Sequence, residues 1–409
     1  MDLPENARRN LHIMWFANFF VNGSMTMVLP FLSLYIETFG NFSEKYVQHW
    51  SGLTFGITFV SAFAFSPIWG RIGDRYGRKK ILIYCGLGMA ASVFMMGFVH
   101  SVWQLFTLRF FMGFFSGFIS MSQAFISTQT PKEIAGRVLG TLQTGTITGS
   151  LLGPILGGVL ADILGYSTTF KFTSIFILIS ALLVMTTKEN RITEKQEAKG
   201  KYSSKEVIQL IIRNPILLTV LLISSLIQIA HFSIQPILSL YVHDLHGQEN
   251  VAFYSGIAFS VAGLGNLTMS RNWGKIADRH GYEKILILLL FMAGMVYLPG
   301  AFVTDYWQLV VIRFALGVSL GGIIPVQIAY LRQKAPIAVQ GEVIGYNTSL
   351  RFFGNIFGPM LGGFISGYLG FSAVFISTST LLILSGLVLF ISVHRHPELV
   401  KHPVKRVVH

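Results

Sequence analysis

Long apolar runs alternate with short polar gaps along most of this chain. A helix that crosses a bilayer needs about 20 predominantly apolar residues. Twelve runs meet that requirement, at 11–36, 49–70, 80–99, 103–125, 138–163, 168–187, 215–242, 253–272, 284–303, 307–330, 342–367 and 372–394. One gap is much longer than the rest. Residues 188–214, KENRITEKQEAKGKYSSKEVIQLIIRN, mix both charge signs and end in a short amphipathic pattern. They read as a cytoplasmic linker, partly helical on the membrane surface. The pattern therefore predicts an all-α integral membrane protein of twelve transmembrane helices. It consists of two six-helix bundles, 1–187 and 215–394, with a cytoplasmic tail at 395–409.

The polar gaps orient the spans. Gly70 to Lys80, GRIGDRYGRKK, packs six charged residues into one turn between two apolar runs. Lys and Arg near span ends stay on the cytoplasmic side, so this is a cytoplasmic hairpin. Gly70, Gly73 and Gly77 are expected to let its backbone turn sharply. The gaps on the same side hold nearly all the Lys and Arg. The opposite gaps carry Glu44, Asp244, Glu249 and Asp305, with Lys45 and Lys171 as the basic exceptions. Both termini are therefore predicted inside.

The two bundles repeat each other. GRIGDRYGRKK returns as GKIADRHGYEK at Gly274 to Lys284, an offset of 204 residues. Pro30 to Tyr35 (PFLSLY) returns as Pro236 to Tyr241 (PILSLY), and Trp103-Gln104-Leu105 as Trp307-Gln308-Leu309. Arg109, Gly113 and Gly117 meet Arg313, Gly317 and Gly321. Gly149, Gly153-Pro154 and Gly157-Gly158 meet Gly354, Gly358-Pro359 and Gly362-Gly363. Parallel repeats of six spans imply a pseudo-two-fold axis along the membrane normal, with a cavity near mid-membrane.

Composition narrows the class. The chain has 409 residues, 52% hydrophobic and 12% charged, where soluble domains carry about 25% charge. Mean hydropathy is +0.59. The net charge of +13 lies in short gaps between apolar runs rather than on a soluble module, so it speaks for a membrane and against nucleic acid. The single cysteine, Cys85, lies in an apolar run, which excludes an intrachain disulfide and a Cys-based metal site. Residues 1–10 are polar, and the first apolar run is too long for a cleavable signal. No GxxxxGK[ST] loop and no soluble domain are present to hold ATP. No cofactor or metal is expected, only a proton gradient as energy source, and the chain is expected to act as a monomer.

These motifs resemble those of the major facilitator superfamily. The GRIGDRYGRKK loop is similar to that superfamily's signature loop between spans 2 and 3, and Arg109 with Gly113 to its span 4 motif. Gly149, Gly153, Pro154, Gly157 and Gly158 resemble the span 5 motif of its drug/proton antiporters. The overall pattern is similar to the MdtG-type multidrug efflux family of bacteria. The resemblance implies a bacterial inner-membrane transporter, not an enzyme, exporting small amphipathic compounds, antibiotics among them, in exchange for protons by alternating access. An uptake or exchange carrier of the same fold, for a sugar, organic acid or other metabolite, is the alternative. The resemblance also implies a gate at Gly70, Asp74, Arg75, Gly77 and Arg78, with Asp278 and Arg279 as repeat partners. In that gate Asp74 is expected to meet a helix N-terminus or an Arg of the second half.

An ionisable side chain inside a span is costly, so each needs a reason. Arg109 is implied to tune a proton-carrying carboxylate; alternatively it ties span 4 to open carbonyls near Pro30. Its repeat partner Arg313 is read as structural. Arg351 has no repeat partner. With Asn347 and Asn355 it recurs at four-residue spacing on one face of span 11, a face that lines either the cavity or a packed polar network. In span 7, Gln228, His231 and Gln235 share another face. His231 is either a proton carrier or a buried, satisfied histidine. Asn18, Asn22 and Met25 in span 1, Gln123 in span 4 and its repeat partner Gln327 in span 10 complete the candidate substrate wall. No carboxylate sits mid-span. Glu37, at the outer end of span 1, is the best remaining candidate for proton coupling, and the alternative is a solvated helix end. Gly145, Gly149, Gly153 and Gly157 form a bare stripe, read either as a sealing surface between the halves or as plain helix packing.

Overall fold

The computed structural model describes residues 5–131, 134–189, 204–336 and 339–397. In chain order the helices are α1 (Glu5–Met27), α2 (Leu32–Glu37), α3 (Glu44–Tyr76), α4 (Arg78–Met96), α5 (Val102–Phe114), α6 (Phe118–Ser127), α7 (Ala135–Leu164) and α8 (Tyr166–Met185). There follow α9 (Ser204–Arg213), α10 (Pro215–Ser233), α11 (Leu238–His246), α12 (Val251–His280), α13 (Tyr282–Tyr297), α14 (Tyr306–Lys334), α15 (Gln340–Leu369) and α16 (Phe371–Arg395). Among the described residues, ten helices or helix pairs are both long and apolar enough to cross a membrane. The first span, α1 with α2, and the eleventh, α15, complete the twelve. Both are diluted by the polar positions singled out above.

Among the described residues, the fourth predicted span is broken at 115–117, between α5 and α6, and the first and seventh are broken at equivalent places. The first is interrupted between Met27 and Leu32 and the seventh between Ser233 and Leu238, around Pro30 and Pro236. Proline lacks the N–H and clashes with the preceding turn, so the repeated PFLSLY and PILSLY segments mark helix breaks. Serine, asparagine and aspartate start several helices. Ser43 accepts the Tyr46 amide, Asn214 the Leu217 amide and Asp305 the Trp307 amide.

In the hairpin only Gly77 makes the turn. Its φ of 103° and the 97° of Gly281 in the repeat lie where a Cβ is strained. Gly70 and Gly73 are helical, inside α3, contrary to their expected part in the turn. A Cβ at Gly73 would stand 2.7 Å from Met121 Cε, the far end of a flexible side chain.

The chain forms two packing units. The first holds residues up to Glu194 together with Pro236–Ser260, the second Lys195–Gln235 and Val261 onwards. Residues 236–260, which follow the linker in sequence, therefore pack with the first bundle. In the first unit α1 packs on α7 and α8, α4 on α8, and α3 on α5. In the second, α10 packs on α15 and α16, and α13 on α14 and α16. The repeat is thus visible in the packing, as α1–α7 and α10–α15.

The glycine stripe belongs to the α1–α7 contact. A side chain at Gly145 would meet the Trp15 carbonyl at 2.6 Å, one at Gly149 the Gly23 amide at 2.8 Å, and one at Gly157 the Met27 Cα at 2.7 Å. The stripe therefore packs α7 on α1 within one bundle, with no room for a side chain against α1's backbone. Gly354, Gly358 and Gly362 do the same against α10 in the second unit. Of the predicted linker, 190–203 lie outside the described residues, as do 398–409 of the tail. Its described end is α9, which buries Val207 and Ile211 four residues apart and packs on α10 and α15.

Candidate functional site

In the first unit the hairpin is tied to its own bundle. Asp74 Oδ1 receives Arg78 Nη2 at 2.8 Å, and Arg78 reaches on to the Ala124 carbonyl and Thr128 at the end of α6. Lys79 Nζ donates to the Met185 and Thr187 carbonyls at 2.7 and 2.6 Å, closing the end of α8. Glu189 accepts the Arg78 amide at 2.7 Å at the start of α4. Asp74 therefore holds Arg78 on the C-terminus of α6. In the repeat Asp278 takes a different partner, the Tyr282 hydroxyl at 2.6 Å. Arg75 is exposed with its guanidinium over the Tyr76 ring, and Arg279 is exposed at the end of α12.

The polar residues of α1 face their own bundle. Asn18 is fully buried, its Oδ1 accepting from Ser122 Oγ at 2.9 Å, and Asn22 donates to the Thr146 carbonyl at 2.7 Å. Met25 is half-buried. Gln123 donates to Gln143 at 3.1 Å, and both are exposed. Arg109 is buried against α3. Its Nε donates to the Thr54 carbonyl at 3.4 Å and its guanidinium lies over Phe55. It reaches α3, and not the carbonyls around Pro30. Glu37 ends α2 at the surface. Desolvation by its neighbours lifts its carboxyl above the ordinary value, while His243 pulls it down and Glu44 pushes it up.

The second unit holds most of the predicted wall, in separate hydrogen-bonded groups. Gln228 donates to Asn355 Oδ1 at 3.0 Å, and Gln235 lies 3.5 Å from His231 Nε2. Gln327 donates to Ser224 Oγ at 2.6 Å and to the Val220 carbonyl at 2.8 Å, and Ser224 in turn donates to Asn347. Ser224 was missed by sequence reasoning, although it lies one turn before Gln228 on the same face. His231 lies within electrostatic reach of Arg313 and Arg351. Arg351 Nε and His231 Nδ1 are buried with no hydrogen-bond partner among the described residues. Two guanidinium groups, an imidazole and four amides thus meet on α10, α14 and α15, with no carboxylate among their described hydrogen bonds. Gln228, Gln327 and Asn347 are buried and held by protein partners, as in a packed polar cluster.

The broken first and seventh spans, the duplicated basic hairpin and the paired α1–α7 and α10–α15 contacts define a twelve-span membrane transporter. The chain belongs to the Major Facilitator Superfamily, whose family profile matches residues 14–302 and 255–407; it is a multi-pass protein of the bacterial inner membrane and not an enzyme. It is 52% identical over 379 residues to the uncharacterized MFS-type transporter YuxJ of Bacillus subtilis, covering 92% of this chain and 97% of that one. It is 39% identical over 394 residues to the multidrug resistance protein MdtG of Dickeya zeae, covering 96% of each. Among solved structures, a bacterial homologue of the lysosomal transporter Spinster, inward-facing and unoccupied, superposes with a TM-score of 0.78 at 15% identity. It covers 98% of this chain and 100% of that one. A D-xylose–proton symporter gives 0.78 at 14% identity, covering 94% and 98%. At such identities these two structures speak for the fold alone.

Proposed function

We infer that this transporter exports small amphipathic compounds in exchange for protons by alternating access. The multidrug resistance proteins that it resembles over nearly its whole length support export of such compounds. A proton gradient has the capacity for the work: one charge crossing about 100 mV releases about 2.3 kcal/mol. The observation that carries the substrate reading is the polar cluster of the second unit, whose charge is cationic.

Arg351, with a buried Nε lacking a partner among the described residues, repels a permanent cation. At about 4 Å two unit charges interact by about 1 kcal/mol in water and about 4 kcal/mol at an effective dielectric of about 20. Neutral, zwitterionic or weakly acidic amphipaths are therefore handled at least as well as quaternary cations. The test compares transport of a zwitterion and a quaternary cation in cells and in inverted vesicles, in the native protein and in Arg351→Gln. The expected result is proton-dependent export that favours the zwitterion, with the preference weakened by the substitution. A strong native preference for the cation that Arg351→Gln leaves unchanged overturns the substrate reading. Uptake by cells overturns the direction.

A further inference from the structure

Asp162 lies in the last turn of α7, at the end that the charge pattern places outside. Both of its carboxylate oxygens are engaged by the start of α12. Oδ2 accepts the Phe253 amide at 2.7 Å and Oδ1 the Ala252 amide at 3.2 Å. Below this point one edge of α7 runs against the first turns of α12, within the first packing unit. A side chain at Gly158 would meet the Ala252 carbonyl carbon at 2.7 Å, and one at Gly256 the Pro154 carbonyl carbon at 2.9 Å. Ser260 Oγ donates to the Leu151 carbonyl at 2.7 Å. Leu151, Pro154, Gly158 and Asp162 are three to four residues apart and so form one ridge, whereas the glycine stripe of the same helix serves α1.

The contact is close backbone packing with two side chains in it, the Ser260 hydroxyl and the Asp162 carboxylate, and of these only Asp162 ionises. A carboxylate on the unsatisfied first amides of a helix makes charge-assisted bonds, about twice as strong as neutral ones. The repeat offers no equivalent: an offset of 205 places Gly367 at this position. Other titratable groups stand around it. Tyr166 on α8 lies within electrostatic reach of both Asp162 and Glu37. Glu37 in turn feels Glu44 of α3 and His243 of α11. The His246 ring lies against Tyr254 of α12, tilted, with ring centres 3.7 Å apart, and Glu249 lies two residues before the start of α12. The lysine of α8, Lys171, is turned onto the Phe98 ring.

We propose that Asp162 is a proton-binding site of the transport cycle, whose ionised form clasps the start of α12 to α7 and whose protonated form releases it. A proton arriving from the outer face adds to one carboxylate oxygen. The O–H bond is the only covalent bond formed. The negative charge is lost, and one of the two amides loses its anionic acceptor and turns to water. This proposal rests on the proton-coupled reading of transport, and it supplies the acid that the middle of the spans lacks.

The test uses the full-length protein in right-side-out vesicles with Ser255→Cys as reporter. Ser255 is fully buried beside Gly256, and its hydroxyl has no hydrogen-bond partner among the described residues, so the replacement is mild. The native Cys85 is buried and serves as the unlabelled background. Labelling by a membrane-impermeant charged thiosulfonate is normalised at each pH to a free thiol. Lowering the outer pH from about 7.5 to about 4, into the ordinary aspartate range of about 3.9, is expected to raise the normalised rate, by about tenfold in full for each pKa unit by which the clasped form lies below the released one. Asp162→Asn is expected to label fast at both values, and His243→Gln to keep the rise. A flat normalised rate in the native background overturns the proposal, whatever the variants do, and so does a rise that survives in Asp162→Asn. No substrate is present. Export without proton dependence is therefore a separate failure, that of the transport reading.

Discussion

Gly153→Ala puts a number on the packing between α1 and α7. A methyl carbon at this position would stand 3.1 Å from the Gly23 carbonyl carbon and closer still to the Gly23 oxygen and Thr26 Oγ1. The Gly23 atoms are backbone of a buried helix and cannot swing aside, so α1 has to move outwards. Inserting a methyl into such a contact costs about 1–3 kcal/mol. The same substitution gains about 1 kcal/mol in helix propensity, which would hide part of the loss. Gly140 removes that ambiguity. It lies in the same helix, with nothing within 4 Å of an added Cβ, and Gly140→Ala receives the propensity gain alone.

The difference between the two variants is therefore about 1–3 kcal/mol, a factor of about 5–150 in an equilibrium constant. Thermal melts of the purified proteins in one detergent read that difference as several degrees. Gly153→Leu, with three more carbons against the same carbonyl, is expected to abolish transport as well. Equal melting points for Gly153→Ala and Gly140→Ala would refute the close approach, and normal transport by Gly153→Leu would refute its importance to the cycle.

Two further substitutions probe the hairpin. Gly77→Ala places a Cβ at a φ of 103°, a strain of about 1–3 kcal/mol, and is expected to lower the yield of monodisperse protein on size exclusion; Gly70→Ala, with open space around it, is not. Asp74→Asn removes an ion pair whose carboxylate side chain is 60% exposed, worth at most about 1 kcal/mol. Its melting point should hardly move while transport falls, because Arg78 is freed from the end of α6; unchanged transport at normal expression would count against a gating role.

Much of the fold was legible because the bilayer imposes it. Backbone groups in lipid must bond within their own segment, so each long apolar run had to be a helix, and the charged gaps had to orient it. The doubled hairpin gave the two-fold repeat, while Pro30 and Pro236 were read only as its landmarks and the helix breaks around them were not foreseen. The candidate wall was partly legible too. Gln228, His231 and Gln235, like Asn347, Arg351 and Asn355, were grouped by helical spacing, and the structure bonds Gln228 of one face to Asn355 of the other.

What the sequence by itself determined about this protein is therefore what obeys a local period: helices, their direction, the repeat, and which residues share a face. Only the tertiary structure decided which face meets which. Gly153 and Gly158 belong to one motif, yet Gly153 serves α1 and Gly158 serves α12, since five residues along a helix turn the side chain to a different neighbour. Nothing in the segment around Asp162 shows that the first amides of a helix some 90 residues later would come to rest on it. Partners so distant in sequence are set by packing, and only the folded chain brings them together.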